Sequence, residues 1–389
     1  MSDANRGGWR VVWIAFVVAV FGWGVGFYGP GVYLFALHQA HDWPISTISM
    51  AITAHYLLSA ILITRLPDAY GRFGVSRVTA AGALFAAMGA IAWTNAQHVW
   101  QLLPALMLSA VGWSAMSGAA LNAMVAPWFE RDRPKAIGMA FNGASVGGLL
   151  FAPLWTALIG GLGLSSAGFI VAMATVAVVG PLAWRFLRDV PLADAATAQR
   201  ALPRHVLLRQ PGFVAISVAF ALGLFAQIGL FAHLIARLEP DFGGRIAALA
   251  ISLVTLCAVL GRSLLGWLLG ERDRRLAAAA NFLMQAVGSL LLAFGDSPVL
   301  LAAGCVLFGL GVGNLISLPP LIAQREFGPA DVGTVVALVT AVNQAVFAFA
   351  PAIYGGLRDF TGGYLVAFLI GAAIQVAAAI IVTRRSRFF

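Results

Sequence analysis

Arg262 is the one formally charged side chain that this sequence places deep inside a hydrophobic segment, which runs from Ile251 to Leu269. All other Lys, Arg, Asp and Glu residues can be placed at segment ends or in connections. A guanidinium keeps its proton at any ordinary pH, and at the centre of a membrane helix it costs about 2.5–3.5 kcal/mol on insertion scales. A cation without an acidic partner in the membrane indicates a binding site for a diffusible anion. Alternatively, Arg262 snorkels to the membrane surface or bonds only to carbonyl groups at helix ends.

Other polar side chains near the middle of apolar segments are few, and protein, water or a ligand must satisfy each of them. The candidates that would bind a ligand together with Arg262 are Tyr28, His55, Trp113, Gln227, Asn314, Asn343 and Gln344. Each has a structural alternative. Tyr28 suits a membrane interface, small residues near Trp113 permit close helix packing, and the amides and His55 can hold neighbouring helices together.

Two histidines, His55 and His233, are the candidates for carrying a proton, because no Asp or Glu is predicted inside the membrane. His233 is also predicted nearer the outer face, where it would belong to a gate or an interface. A flexible break is predicted at Gly29-Pro30-Gly31, and Pro319-Pro320 are predicted to disturb their helix, because proline lacks the N–H that a helix interior needs. Pro30 is therefore a candidate conformational residue. The glycine-rich stretch Gly309–Gly313 is predicted to permit close helix packing.

The composition is that of a membrane protein: 61% of the 389 residues are hydrophobic, 10% are charged and the mean hydropathy is +0.90. A soluble domain carries about 25% charged residues. The net charge of +9 does not indicate nucleic-acid binding, because the basic residues fall in connections on one side of the predicted spans. Cys257 and Cys305 lie in apolar segments and predict no disulfide. The first apolar stretch, from Val11 to about Ala36, is too long for a signal peptide.

Twelve stretches are long and apolar enough to cross the membrane as helices, for which about 20 residues are needed. They are 11–37, 45–66, 75–95, 100–128, 135–159, 165–186, 212–236, 246–269, 276–295, 299–323, 333–356 and 363–383. The expected fold is an all-α membrane protein with six helices in each of two bundles. The bundles are predicted at 1–187 and 212–389, joined by an arginine-rich linker at 188–211.

The distribution of basic residues predicts the orientation of the chain in the membrane. With both termini in the cytoplasm, the inner segments carry twenty Lys and Arg residues and the outer connections carry three: Arg237, Arg245 and Arg358. Short cytoplasmic segments of membrane proteins are enriched in Lys and Arg. The sequence therefore predicts a multi-pass protein of the plasma (inner) membrane with both termini cytoplasmic.

The two halves of the sequence resemble each other at a nearly constant offset. Phe151-Ala-Pro153 recurs as Phe349-Ala-Pro351, and Phe129 at the end of the fourth stretch matches Phe327 at the end of the tenth. An offset that spans six helices gives both halves the same topology. Two such bundles, related by an axis along the membrane normal, are a recurring plan among transporters.

Over its whole length, through twelve stretches and a basic central connection, the chain resembles the major facilitator superfamily. Within it, the chain is most similar to the monocarboxylate porter and oxalate:formate antiporter group. Two stretches resemble this group. The first is Trp128-Phe-Glu-Arg-Asp-Arg-Pro-Lys-Ala-Ile-Gly138, followed by the small residues of Asn142–Gly148. The other is Gly261-Arg262-Ser-Leu-Leu-Gly266, which matches the span whose arginine binds the substrate carboxylate in that group.

The chain departs from the family pattern in three places. The connection after the second span lacks the signature acid, and Asp68 could instead meet Arg72 or Arg77, which makes Asp68 and Arg72 candidate gating residues. Ala258 stands where the proton-coupled porters carry an aspartate. The eleventh span lacks the second cation of the oxalate exchanger and offers Asn343 and Gln344 instead.

The resemblance implies a secondary active transporter that moves a small organic anion by alternating access. A monocarboxylate would bind Arg262 through two charge-assisted hydrogen bonds, with its apolar body against Trp113 and Tyr28. Proton symport, anion exchange and uniport stay open. One alternative is an efflux transporter for lipophilic acids or drugs, and a more remote one is a membrane sensor without transport activity.

No cofactor and no metal site is predicted. An enzyme is not expected, because buried catalysis needs clustered acid–base or metal-ligating residues, and one arginine with scattered histidines does not form such a cluster. The expected partners are the lipid bilayer, a small organic anion and either a coupling proton or a counter-anion, with no nucleic acid. The protein is expected to be a monomer.

Overall fold

The computed structural model describes residues 3–130, 132–187, 201–295 and 297–384. Side chains are described in these ranges except for residues 3–6, 35, 45–46, 152 and 239–248. Most of the predicted linker therefore lies outside the described residues. So do five arginines of the predicted basic segments: Arg131, Arg188, Arg200, Arg385 and Arg387. The side chains of Arg6 and Arg245 also lie outside.

Backbone contacts divide the chain into two compact units, Met1–Ala198 and Gln199–Phe389. All regular secondary structure in the described ranges is helical. Helices suit such an apolar chain, because every backbone N–H and C=O in a hydrocarbon layer must be hydrogen-bonded within the protein.

The described part of the N-terminal unit contains nine α-helices and three short helical segments of other types. The α-helices are α1 (Asp3–Phe21), α2 (Gly29–His41), α3 (Ile45–Thr64), α4 (Leu66–Phe73), α5 (Val75–Thr94), α6 (Leu102–Met116), α7 (Gly118–Val125), α8 (Arg133–Leu162) and α9 (Leu164–Phe186). A π-helix at Gly22–Phe27 joins α1 to α2, and 3₁₀ turns lie at Val99–Gln101 and Ala126–Trp128.

The described part of the C-terminal unit contains eight α-helices. They are α10 (Arg204–Leu207), α11 (Pro211–Leu269), α12 (Arg274–Phe294), α13 (Pro298–Val312), α14 (Asn314–Glu326), α15 (Val332–Phe347), α16 (Ala350–Thr361) and α17 (Leu365–Thr383). Together the two units hold twelve candidate membrane spans, long and apolar enough to cross a bilayer, within the described residues. The prediction of an all-α membrane protein with twelve spans is confirmed.

The backbone corrects two local predictions. Helix α14 continues through Pro319 and Pro320, and the discontinuity of this span falls at Gly313, between α13 and α14. The two prolines, predicted to disturb the helix, do not end it, and the interruption of the span lies one to two turns before them. Likewise, the irregular backbone of the first span is the π-helix at Gly22–Phe27, whereas Pro30 lies in the first turn of α2, where its missing N–H costs nothing.

The connection predicted between the seventh and eighth spans is not a break in helical structure. Both candidate spans, Pro211–Leu238 and Leu249–Leu269, belong to α11, which is assigned as helix throughout. A helical connection satisfies its own backbone groups, which a non-helical loop within an apolar layer cannot do.

Glycines determine how the N-terminal unit packs. A Cβ on Gly143 would collide with the carbonyl oxygen of Phe16, and one on Gly147 would lie 2.5 Å from the carbonyl oxygen of Val20. These glycines are four residues apart, so they occupy the same face of α8 and let α1 approach backbone to backbone. The small-residue stretch singled out in the sequence therefore forms a helix–helix contact.

A partly buried ion pair joins three helices of the C-terminal unit. Arg275, at the start of α12, binds Glu326, at the end of α14, through Nε–Oε1 and Nη2–Oε2 contacts of 2.5 and 2.6 Å. Its Nη1 also donates a hydrogen bond of 2.7 Å to the carbonyl oxygen of Val382 in α17. A bidentate arginine–carboxylate pair has a well-defined geometry, so this contact fixes the three helix ends relative to one another.

Candidate functional site

Arg262 lies on α11 and its side chain is buried, with 2% of its surface exposed. Its Nε donates a hydrogen bond of 2.9 Å to the carbonyl oxygen of Gly313, the residue between α13 and α14. A carbonyl at a helix end is the kind of contact that the structural interpretation of Arg262 predicted. The same contact also holds the guanidinium inside the unit.

Glycines allow Arg262 to approach the interrupted span closely. A Cβ on Gly313 would lie 2.6 Å from Nη2 and 2.8 Å from Cζ of Arg262. One residue before the arginine, a Cβ on Gly261 would collide with the carbonyl oxygen of Leu310. A Cβ on Gly309 would likewise lie 2.8 Å from Cβ of Cys257. The Gly309–Gly313 stretch is therefore a packing surface for α11, as the sequence interpretation held.

A buried amide pair lies next to this break. Asn314, the first residue of α14, donates from Nδ2 to Oδ1 of Asn281 in α12 at 2.9 Å. Asn281 in turn donates from Nδ2 to the carbonyl oxygen of Gly311 at 3.3 Å. Both asparagines have 4% of their surface exposed. The pair thus anchors the backbone on both sides of Gly313, the residue that Arg262 contacts.

The polar residues continue along α12 away from the break. Gln375 of α17 donates from Nε2 to Oε1 of Gln285 at 3.4 Å, and Ser289 donates to Oε1 of Gln375 at 3.2 Å. Gln285 and Gln375 are completely buried. We call Asn281, Gln285, Ser289, Asn314 and Gln375 the amide ladder. Sequence reasoning found only Asn314 of this set. The spacing of Asn281, Gln285 and Ser289, four residues apart on one helix face, is the signal that could have revealed the others.

Among the predicted site residues of the C-terminal unit, three buried amide oxygens lack a hydrogen-bond partner in the described part of the chain. They are Oε1 of Gln227, Oδ1 of Asn314 and Oδ1 of Asn343. Buried polar atoms in folded proteins are bonded in about 90% of cases, and exceptions point to water or a ligand. These residues belong to α11, α14 and α15. Gln344, next to Asn343, is 2% exposed.

An aromatic cluster surrounds the π-helix of the N-terminal unit. The ring of Phe27 lies 5.2 Å from Tyr28, 6.2 Å from Tyr56 and 6.1 Å from Trp113, measured between centroids. Trp23 packs edge-on against Trp113 at 4.9 Å. Two predicted site residues, Tyr28 and Trp113, are therefore brought together through Phe27, which the sequence analysis did not single out.

Glycine also makes room for Tyr28 and Trp113. A Cβ on Gly148 of α8 would collide with the Tyr28 ring, and one on Gly26 would lie 2.7 Å from the indole of Trp113. A π-helix is rare and is frequently found at functional sites. Here it places two rings of the first span, Trp23 and Phe27, against the same indole.

His55 is buried, with 1% of its surface exposed, and its Nδ1 lies 2.9 Å from the hydroxyl of Ser109. The same hydroxyl accepts a hydrogen bond of 3.0 Å from the indole N–H of Trp93. The single proton of this hydroxyl has two acceptors within reach, Nδ1 of His55 and the carbonyl oxygen of Leu106 at 3.2 Å. Nε2 of His55 makes no hydrogen bond of ordinary geometry to the described residues.

His233 occupies a different environment in the C-terminal unit. Its Nε2 lies 2.9 Å from the carbonyl oxygen of Pro351, and its Nδ1 lies 3.2 Å from the hydroxyl of Tyr364. A carbonyl only accepts, so Nε2 carries the proton and Nδ1 of the neutral ring accepts from Tyr364. Both nitrogens therefore tie α11 to the segments that follow α15.

The predicted gating residues lie at the surface of the N-terminal unit. Asp68 is 3.9 Å from Nη1 of Arg65, and both side chains are more than half exposed. The guanidinium of Arg72 lies over the ring of its neighbour Phe73, at 5.2 Å from the centroid. Exposed ion pairs of this kind contribute about 0–1 kcal/mol.

Two helical units with twelve candidate spans and a buried cation define a polytopic membrane protein of the transporter type. The chain belongs to the Major Facilitator Superfamily, whose family model matches residues 12–351. It is a transporter and not an enzyme, and its family implies a small-molecule substrate.

Several curated relatives have similar sequences at low identity. The chain is 25% identical to Monocarboxylate transporter 13 of Bos taurus, over 98% of this chain and 90% of the relative. It is 28% identical to Monocarboxylate transporter 11 of Mus musculus, over 80% of this chain and 72% of the relative. It is 23% identical to the uncharacterized MFS-type transporter YcxA of Bacillus subtilis (strain 168), over 94% of this chain and 92% of the relative.

Solved structures share the fold. The human organic anion transporter MFSD10 (TETRAN) superposes with a TM-score of 0.77 at 15% identity, covering 98% of this chain and all of the other. The E. coli fucose:proton symporter FucP gives a TM-score of 0.74 at 18% identity, covering 97% of this chain and all of the other. At these identities the likeness concerns the fold alone.

Proposed function

We propose that this transporter moves a small organic anion, specifically a monocarboxylate, by alternating access, and that Arg262 binds the carboxylate. The observation that carries the proposal is the burial of a permanent cation within a membrane span, at 2% exposure. A buried ionisable residue of a membrane span is a functional-site candidate because of its desolvation cost. A bound carboxylate would offset that cost through charge-assisted hydrogen bonds.

One cation in the membrane favours a monoanion. The sequence has no second Lys or Arg deep within a span, and Asn343 and Gln344 stand in the eleventh span instead. A dianion such as oxalate would carry one charge without a fixed partner. The curated names of two relatives, both monocarboxylate transporters, agree with a monocarboxylate substrate.

The remaining assignments are proposed with the same substrate in mind. In the C-terminal unit, Gln227, Asn314, Asn343 and Gln344 supply hydrogen bonds to the substrate or to ordered water, because three of these amides have an unbonded oxygen. In the N-terminal unit, Tyr28, His55 and Trp113 stay substrate-binding candidates. His55 is the better candidate for a coupling proton, because both nitrogens of His233 are bonded within the protein.

We further propose that the bundles span 1–187 and 212–389, that the linker is 188–211, and that both termini face the cytoplasm. The excess of basic residues on one side supports this orientation in a plasma (inner) membrane. Asp68, Arg72 and Pro30 are proposed to take part in the conformational change, and the protein is proposed to act as a monomer.

Uptake into proteoliposomes tests the central proposal. Purified protein would be reconstituted and given radiolabelled lactate, pyruvate, formate or oxalate, together with Arg262→Gln and a control, Arg358→Gln. Arg358 is a suitable control because its side chain is 54% exposed and it is paired with Asp359. We expect monocarboxylate uptake to be lost in Arg262→Gln and retained in Arg358→Gln. Unchanged uptake by Arg262→Gln would overturn the assignment.

Efflux of lipophilic acids is the second candidate, favoured by the aromatic cluster around Phe27. Thermal stabilisation by a panel of small carboxylates, lipophilic acids, sugars and drug cations separates the two. Stabilisation by small carboxylates that disappears in Arg262→Gln supports the first. Stabilisation only by lipophilic compounds supports the second.

A further inference from the structure

An open groove of about 400 Å³ lies on the N-terminal unit, where α3 ends and α5 begins. Its walls are apolar and include Leu62, Leu66, Phe73, Val78, Phe85 and Val111. Two arginines, Arg65 and Arg77, line the same groove. An apolar cleft with a few polar groups at defined positions is the usual form of a small-molecule site, at about 300–1,000 Å³. None of these residues belongs to the proposed substrate site.

Helix α4, which borders the groove, has the character of a helix that lies at a membrane surface. Leu66 and Tyr70 are buried, whereas Arg72 is exposed and Phe73 has 51% of its surface exposed. Helices with apolar and basic faces lie in the interface between lipid headgroups and acyl chains. This position would bring the end of the groove to the level of the lipid phosphates.

The charges at this end of the unit favour an anionic partner. Arg65, Arg72 and Arg77 fall within thirteen residues, and the acid beside them is Asp68, 3.9 Å from Arg65. Arg65 and Arg77 are both exposed. Basic pockets between membrane helices recognise anionic lipid headgroups, and each Lys or Arg near such a surface contributes about 1 kcal/mol.

We propose that this groove binds one anionic phospholipid, with an acyl chain along the apolar walls and the phosphate held by Arg65 and Arg77. The acyl chain needs an apolar surface and the phosphate needs cations, and the lining of the groove provides both. A free phosphate would use the arginines but leave the apolar walls in water, and a neutral lipid would fill the walls but bring no net negative charge to the arginines. The proposal is independent of the substrate of Arg262.

The test uses full-length, delipidated protein in neutral detergent, with dioleoylphosphatidylglycerol or dioleoylphosphatidylcholine added back. Native mass spectrometry counts retained lipids, and thermal unfolding measures stabilisation. We expect the wild type to retain one phosphatidylglycerol and to be stabilised by it more than by phosphatidylcholine. Replacing both arginines, Arg65→Gln with Arg77→Gln, should weaken phosphatidylglycerol binding roughly thirtyfold, since each arginine contributes about a factor of five.

A second variant tests the apolar part of the groove without changing its charge. Ala81 is exposed and lines the groove, so Ala81→Trp should fill it and reduce phosphatidylglycerol retention. Leu84 lies on the same helix, is 49% exposed and does not line the groove, so Leu84→Trp is the matched control. Arg358→Gln is the control for charge.

Three outcomes would overturn the proposal. They are equal retention of the two lipids by the wild type, unchanged phosphatidylglycerol binding after loss of both arginines, and the same stabilisation by inorganic phosphate alone. Equal loss of lipid in Ala81→Trp and Leu84→Trp would likewise remove the groove as the site. All of these arms measure lipid binding and not uptake, so they remain interpretable if Arg262 has no role in transport.

Discussion

The guanidinium of Arg262 is hydrogen-bonded to the carbonyl oxygen of Gly313 at the point where its neighbouring span is interrupted. The same carbonyl oxygen accepts a second side-chain hydrogen bond, of 3.5 Å, from the hydroxyl of Ser317 in α14. This relationship links the one deeply placed cation of the sequence to a backbone break. A ligand that moved Arg262 would therefore act directly on the backbone where α13 meets α14.

Gly313→Ala should displace both Arg262 and the neighbouring backbone of α11, because the added Cβ would lie 2.6 Å from Nη2 of Arg262 and 2.6 Å from the carbonyl oxygen of Ala258. We expect the KM for a monocarboxylate to rise with a smaller effect on the maximal rate, since binding depends on where the guanidinium lies. Overpacking of this kind costs about 1–3 kcal/mol. Initial-rate uptake in proteoliposomes measures both parameters.

Gly333→Ala is the matched control, because nothing lies within 4 Å of a Cβ at Gly333 in α15. Its kinetics should equal those of the wild type. If Gly313→Ala also behaved as the wild type, the position of Arg262 against this glycine would not matter for binding.

Replacing His55 and His233 separately should reveal which histidine, if either, carries a coupling proton. His55→Gln should abolish accumulation driven by a pH gradient while leaving carboxylate exchange at equal pH. The reason is that Nε2 of His55 makes no hydrogen bond of ordinary geometry to the described residues. His233→Gln should retain gradient-driven accumulation, because the ring bonds Pro351 and Tyr364 and serves packing.

The readout is substrate accumulation at an imposed pH gradient, with the uptake direction reversed as an internal control. Accumulation that persists in His55→Gln but fails in a stably folded His233→Gln would reverse the assignment. Persistence in both would show that neither histidine carries the proton, whereas absence of gradient-driven accumulation in the wild type would indicate anion exchange or uniport.

Close contact between α1 and α8 predicts a strong position dependence of glycine substitutions along α8. Gly143→Ala should lower thermal stability, with a cost of about 1–3 kcal/mol, because its Cβ would collide with the carbonyl oxygen of Phe16. Gly160→Ala, in the same helix, should be neutral or stabilising, because nothing lies within 4 Å of a Cβ there. Thermal unfolding in detergent compares them, and similar shifts in both variants would contradict this packing.

The amide ladder predicts coupling between Gln285 and Gln375. Gln375→Leu alone leaves the oxygen of Gln285 and the hydroxyl of Ser289 without a side-chain partner, so it should destabilise by about 1–3 kcal/mol. The double variant with Gln285→Leu should recover part of that loss. A double-mutant cycle from unfolding measurements gives the interaction energy, and a value near zero would show that the two amides act independently.

The spans and the buried cation could be predicted because both are evident from the order of residues along the sequence. Twelve apolar stretches predict twelve spans through length alone, and Arg262 is conspicuous in its apolar surroundings. Weaker signals needed tertiary structure. The position of the break at Gly313 could not be derived, because the stretch Gly309–Gly313 reads as packing and the prolines that follow are stronger predictors of a break.

The internal repeat shows why local sequence matches do not guarantee local structure. Phe129 and Phe327 both end a helical segment in an extended conformation. The two prolines of the repeat differ, however. Pro153 lies inside the continuous helix α8, and Pro351 lies in the first turn of α16, after an interruption. The identical Phe-Ala-Pro motifs thus occupy different backbones, because the surrounding residues decide whether a proline follows a helix end.

The π-helix at Gly22–Phe27 also determines the directions in which the side chains of α2 point around the helix axis. A π-turn holds one residue more than an α-turn, and each α-helical residue advances the helix by about 100°. Deleting one residue from this segment would restore α-helical register and rotate α2 by about that angle. Tyr28 and Tyr33 would then turn away from Gly148 and Trp155, which they now contact. The length of this stretch is thus as constrained as its composition, and relatives aligned through it should tolerate substitutions far better than single-residue gaps.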